Sequence, residues 1–353
     1  MFTRQTLALT NEFEFMVAAI RHAFVDSEQL RLRQLASLVD WEKVEQLSRR
    51  HRVSGLVGSV TASMTIPLPG DITERWRDAS YAIAEQNLRN AVESANLLAA
   101  FQSAGVDLLF VKGLTLGKLA YGNPHLKMDA DIDILVSPDA IAQAAAILGK
   151  LGFQSLLPST VETINEWHRR KKESVWRKGG TQLDLHGRLA NNPGMIPNIG
   201  MQSPRQDVDV GGGNILPTLA DEPLFSYLCV HGASSAWFRL KWIADLSAFL
   251  SRDSRLTMLE RYDDNREWRA NRAVAQALIL AHQLFQIPLD DGLGQAIGGV
   301  AERRLAGIAL AQLLNPIEPT ERTLGTASIH LSQFMLKRGL RYKWSELATQ
   351  LRS

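Results

Sequence analysis

The stretch from Phe110 to Val136, FVKGLTLGKLAYGNPHLKMDADIDILV, sets Asp129, Asp131 and Asp133 at every second position ahead of an apolar run. Buried carboxylates are costly unless something pairs with them. Residues two apart on a strand face the same way, so Asp131 and Asp133 share one face and Ile132 and Ile134 the other. Two such carboxylates can hold a divalent cation. Hard cations such as Mg²⁺ take oxygen ligands, usually one or two protein carboxylates together with substrate phosphates. A third acid stands in TQLDLHGRL, where Asp184 interrupts an apolar alternation and His186 shares its face. If the two strands are neighbours, Asp131, Asp133 and Asp184 form the ligand set of a two-metal phosphoryl-transfer site. Sharing a metal at just over 2 Å per bond requires Asp184 within about 6 Å of the pair. The competing reading is a half-exposed strand with its polar face in water. Two features weigh against it. The acids run straight into Ile134, Leu135 and Val136, and FVKG upstream reads as a strand, a glycine turn and a helix start. That is a phosphate cradle to which Lys112 adds charge.

The elements that must position these residues follow from periodicity and punctuation. Up to about residue 104 the spacing is helical in FEFMVAAIRHAF, SEQLRLRQLASLV and DWEKVEQLSRRHRV, with Asp40 as a helix cap. After Pro67, Pro69 and Gly70, one long helix opens at Asp71 and stops at Gly105. VDLLFVKG and DADIDILV read as strands, with the helical LTLGKLAYG and the loop NPHLKM between them. SPDAIAQAAAILGKLGF reads as a helix capped by Ser137 with Pro138 at its first position. STVETINEWHRRK is helical, ESVWRKGGTQLDLHGRL gives two strands around Gly179-Gly180, and RQDVDVGGGNILPT gives another short pair. From Pro217 the helical pattern returns and holds. These signals divide the chain into an N-terminal helical region, residues 1–105, an α/β core, 106–217, and a C-terminal helical domain, 218–353. The fold class is α+β, a small mixed sheet flanked by helices.

Composition narrows the partners. The chain has 353 residues, 45% hydrophobic and 22% charged, with a net charge of +2, too weak to argue for nucleic acid. The single Cys229 excludes an internal disulfide and a cysteine metal cluster. Glu12 and Glu14 stand where a signal peptide would have its apolar core, and the apolar runs fall short of a span of about 20 residues. The expectation is a soluble, cytoplasmic protein with no membrane partner. The basic run His168 to Lys172 reads as a solvated helix face rather than an RNA contact, since only Trp167 and Trp176 lie near it.

At this point the residues resemble a known family. Lys112-Gly113, Tyr121, Lys127, Ala130, Asp131, Asp133 and Leu135-Val136 are similar to the signature of the uncharacterised nucleotidyltransferase-like family within the polymerase-beta-type superfamily. QLDLHGRL is similar to its acid-Leu-His strand. FSYLCVHGASSAWFRLKWIADLSAFL is similar to its helical block, here His231, Trp242 and Asp245.

The resemblance implies a nucleotidyltransferase core and an enzyme that moves a nucleoside monophosphate from an NTP, ATP among the candidates, to a hydroxyl of an unknown acceptor. The acceptor could be a peptide or protein, a metabolite or an RNA. Mg²⁺ or Mn²⁺ is the implied metal. Asp131 and Asp133 would bind both ions, and Asp184 would bind one and help deprotonate the acceptor. Lys112, Gly113 and Lys127 would bind phosphate. Lys127 stands where the family more often has Arg, which loses bidentate phosphate contact. His186 is either an acceptor or phosphate contact or a satisfied structural histidine. His231 and Asp245 are substrate contacts or, preferably, a buried hydrogen-bonded pair. Trp237 and Trp242 read as core rather than base-stacking platforms, with Trp242 also a candidate substrate contact. Asp129 reads as the strand's solvated entry or a contact to Lys127, not a ligand. Two other functional classes remain: a nucleotide-binding regulatory module without turnover, and a toxin-like RNA-modifying transferase that arrests growth.

Overall fold

The computed structural model describes residues 9–25, 28–157, 163–252, 262 and 270–351. The N-terminal region is helical as the spacing predicts: α1 Asn11–His22, α2 Gln29–Ala36, α3 Trp41–Arg50 and α4 Ser54–Ser63. Asp40 caps α3, accepting from the Glu42 and Lys43 amides at 3.1 and 3.4 Å. The long helix α5 runs Gly70–Ser103 and ends where Gly105 turns left-handed at φ 68°.

The α/β part follows. In chain order it comprises β1 Leu109–Phe110, α6 Leu114–Tyr121, β2 Asp131–Leu135, α7 Ile141–Lys150, β3 Gln154–Ser155, α8 Ile164–Arg170, β4 Glu173–Lys178 and β5 Thr181–His186. These strands form one mixed sheet in the order β1-β2-β5-β4-β3. Strand β2 runs parallel to β5, while β1 on β2, β4 on β5 and β3 on β4 are antiparallel. β6 Arg205–Asp209 and β7 Ile215–Leu219 make a separate two-stranded sheet.

Two expectations need correction. Ser137 makes no side-chain cap; a 3₁₀ turn, Pro138–Ala140, comes between it and α7. The proline fixes its own φ and this tight turn absorbs the helix entry. Of the helical stretch predicted from Ser159, residues 159–162 lie outside the described ones, as do residues 1–8 of the N-terminal reading.

The C-terminal part contains α9 Asp221–Ser234, α10 Leu240–Arg252, α11 Asn271–Phe285, α12 Asp291–Ile297, α13 Val300–Leu313, α14 Ala327–Met335 and α15 Leu340–Gln350. Among the described residues, no helix is long and apolar enough to cross a membrane.

Two apolar cores hold these layers. One joins the N-terminal and C-terminal helices, with Phe15 and Ile20 in the same cluster as Tyr227, Leu246 and Leu278. The other lies under the sheet, where Ile132, Ile134, Leu183 and Leu185 pack with Leu97 and Phe101 of α5 and Leu148 of α7. Each fully buried side chain of this size contributes about 1.5–3 kcal/mol. Alternation then fixes the opposite face of β2 and β5. With the isoleucines and leucines committed to the core, Asp131, Asp133 and Asp184 point the other way, toward the helices.

Candidate active site

The register decides which acids meet. Asp133 pairs with Asp184 across the parallel β2–β5 ladder, and Asp131 pairs with Gln182. In-register partners on neighbouring strands carry side chains on one face. Asp133, Asp184 and His186 accordingly bring one ligand atom each within 4.8 Å of one another. The Asp184–Asp133 approach therefore falls inside the limit for a shared metal. Asp131 sits two residues before Asp133, and all three acids line one cavity of about 200 Å³.

Lys112 and Gly113 reach this cavity from the β1–α6 turn. Gly113 has φ 68° and ψ −134°, a combination essentially closed to residues with a Cβ. The turn swings the Lys112 ammonium to 2.9 Å from Asp133 Oδ1. His186 Nε2 donates to the same oxygen at 2.9 Å, and its Nδ1 lies 3.4 Å from Glu173 Oε2.

These contacts push the carboxylates apart electrostatically. Burial alone would raise Asp133, but the Lys112 ammonium and the His186 hydrogen bond outweigh it and hold that group well below the usual carboxylate range. Asp184 has no such cation. Burial, then the Asp133, Asp131 and Glu173 charges, push it up to about 7. Burial and Asp133 raise Asp131 as well. Like charges held this close are a penalty that a divalent cation removes.

The loop entering β2 inverts the expected exposure. Met128 is 39% exposed while Asp129 is only 4% exposed, so a solvated strand entry is corrected: Asp129 is buried. It is ion-paired with Lys127, as the other reading of that residue had it. Lys127 also lies 3.7 Å from Asp245 Oδ2, and Tyr121 donates to Asp245 Oδ1 at 3.0 Å. Two buried asparagines of α5 fasten this loop. Asn87 donates to the Lys127 carbonyl at 2.7 Å and Asn90 to the Asp129 carbonyl at 3.0 Å.

His231 and Asp245 do not form the expected pair. Asp245 is held by Tyr121 and Lys127, whereas His231 stands edge-on to Trp242 with ring centroids 5.5 Å apart. The two residues sit on α9 and α10, whose crossing turns the carboxylate toward α6 instead. Both line the cavity with Trp242, which is half-buried rather than core; Trp237 is fully buried as expected. Burial and the Lys112 and Lys172 charges keep His231 well below the ordinary histidine range, hence neutral.

The basic run splits. Arg169 and Arg170 are exposed, but His168 is buried and bonds Ser174 Oγ at 3.0 Å. Lys172 turns into the cavity and pairs with Glu173 at 2.6 Å.

Sequence reasoning passed over four charged cavity residues, Arg52, Glu173, Arg239 and Lys241. Burial and neighbouring Lys127 lower Lys241 to about 8. Only long-range packing brings them here. One of three arginines in RRHR, and a lysine in FRLKW, carry no local signal of it.

The donor set at the centre, carboxylate oxygens with one imidazole nitrogen, suits a divalent cation. Asp131, Asp133 and Asp184 would hold it, with His186 beside them. The model of a family described as uncharacterised nucleotidyltransferase matches residues 37–286. No curated protein matches the chain.

Proposed function

The chain belongs to the uncharacterised nucleotidyltransferase family, and from that premise we propose that it transfers a nucleoside monophosphate from an NTP to an acceptor hydroxyl. The observation that carries this reading is the facing of Asp133 and Asp184 in register on parallel strands, with ligand atoms within 4.8 Å. When bound, Mg²⁺ or Mn²⁺ supplies charge neutralisation for the three acids and for the phosphate oxygens.

The protein's own groups do the rest. The Lys112–Gly113 turn presents a cation and a helix start to phosphate. Asp184, on the face shared with Asp133, would help deprotonate the acceptor hydroxyl. Asp133 stays ionised through Lys112 and His186. Catalysis of this kind consists mainly of positioning and electrostatic stabilisation.

Incubation with labelled ATP, GTP, CTP or UTP, Mg²⁺ and cell lysate tests the reading. Label on an acceptor, lost with Asp131→Ala and with Asp133→Ala, is expected. Metal-dependent nucleotide binding with no transfer would instead favour a regulatory binding module.

A further inference from the structure

The cavity is lined by six lysines and arginines, and four of them have carboxylate partners. Lys112 pairs with Asp133 at 2.9 Å, Lys127 with Asp129, Lys172 with Glu173 at 2.6 Å, and Arg239 with Glu318 at 2.9 Å. Arg52 and Lys241 have none: neither side chain makes an ion pair or hydrogen bond among the described residues.

Backbone hydrogen bonds join the two segments that carry these cations. The Leu240 amide donates to His51 Nδ1 at 3.1 Å, and the Lys241 amide donates to the His51 carbonyl at 3.4 Å. Arg50 adds a guanidinium bond to the Phe238 carbonyl at 2.6 Å. Residue 51 is thus bolted to residues 240 and 241, and Arg52 is carried to the start of α10. Arg52 itself is left-handed, with φ 57°, a conformation that strains a non-glycine residue. Asp131 favours the charged form of both cations. Both side chains line the cavity, and each keeps its hydrogen-bond donors uncommitted to any carboxylate among the described residues. Donors left open on buried or half-buried cations suit an external anion.

Resting on the proposed function, we propose that Arg52 and Lys241 form the subsite for the phosphate tail of the nucleotide, the part that leaves as pyrophosphate. Arginine offers a planar fork for phosphate oxygens and lysine a compact point charge. Lys127, already held by Asp129 and Asp245, is then a structural cation. The N-terminal helical region becomes part of the nucleotide site through one residue.

Calorimetric titration of the full chain with sodium pyrophosphate, and with each nucleoside triphosphate, in Mg²⁺ tests this. Arg52→Asn and Lys241→Gln are each expected to weaken pyrophosphate binding about tenfold or more. Triphosphate binding should weaken in step, and pyrophosphate should displace bound triphosphate. Asparagine tolerates the left-handed backbone, so Arg52→Asn removes charge without adding strain. Unchanged unfolding midpoints separate lost binding from lost folding, and half-buried Lys241 provides the second variant should the first fail to fold.

Variants that bind pyrophosphate as the wild type does overturn the assignment, as does a wild type that binds none. Variants that bind both probes normally but stop transferring overturn it too, because the cations would then serve an anionic acceptor. Pyrophosphate binding that depends on both residues, without any nucleotidyl transfer, keeps the subsite and removes the proposed function instead.

Discussion

Replacing Asp184 with asparagine is expected to stabilise the metal-free protein at neutral pH. The Asp184 carboxyl is pushed from the ordinary 3.8 up to about 7, by burial first and then by Asp133, Asp131 and Glu173. Between those values the folded state keeps a proton that the unfolded chain has released. Stability therefore falls as pH rises from about 4 to 7. At about 1.36 kcal/mol per pH unit, a displacement of about three units corresponds to about 4 kcal/mol, or nearer 2 with allowance for the cavity's open side. Asparagine cannot ionise, so the variant escapes this fall. Urea unfolding in chelator at about pH 5 and pH 8 should show the variant gaining about 1–2.5 kcal/mol on the wild type between the two. Mg²⁺ should then raise the wild type more than the variant, which keeps only Asp131 and Asp133 as carboxylate ligands. Equal stabilities at pH 8, or a less stable variant, would refute the claim that the acids are held in mutual repulsion awaiting a cation.

Three further outcomes follow from the same contacts. Lys112→Met removes the partner of a buried carboxylate and should cost about 3–5 kcal/mol in chelator, read from the urea midpoint; a loss near zero would mean that Asp133 needs no cation. His51, lowered to about 3 by burial and Arg50, is neutral when folded, so its contribution is complete above about pH 6.5 and declines as pH falls toward 3. That decline amounts to about 2 kcal/mol at pH 5, and the stability–pH profile of His51→Gln should be flatter across this range. Asn90→Ala leaves the Asp129 carbonyl without its donor and should lower stability by about 1–3 kcal/mol in thermal or urea unfolding.

What could be read from the sequence was local. Period-two alternation put Asp131 and Asp133 on one face, and the Gly179-Gly180 turn delimited the strand that carries Asp184. The helix stop at Gly105 and the cap at Asp40 likewise depend only on nearby residues. The neighbourhood of β2 and β5 is not legible locally, because a parallel pairing across some fifty residues leaves no turn signal to announce it. The errors have the same physical origin. Asp129 looked solvated because alternation cannot show that Asn87 and Asn90 of a distant helix cover its loop. His231 and Asp245 looked like a pair because both interrupt apolar helices, yet Tyr121 and Lys127 supply the partners of Asp245. Arg52 and Lys241 escaped notice because His51 joins their segments through hydrogen bonds between residues far apart in the chain.

The central claim is transfer of the α-phosphoryl group with its nucleoside at the Asp131, Asp133 and Asp184 site. Its most direct test compares α-³²P- and γ-³²P-labelled nucleoside triphosphates, with Mg²⁺ and cell lysate as the source of acceptor. The account predicts label on the acceptor from the α position only, γ label released as pyrophosphate, and loss of transfer with Asp133→Asn. Label arriving from the γ position, or no transfer from any of the nucleotides, would contradict it.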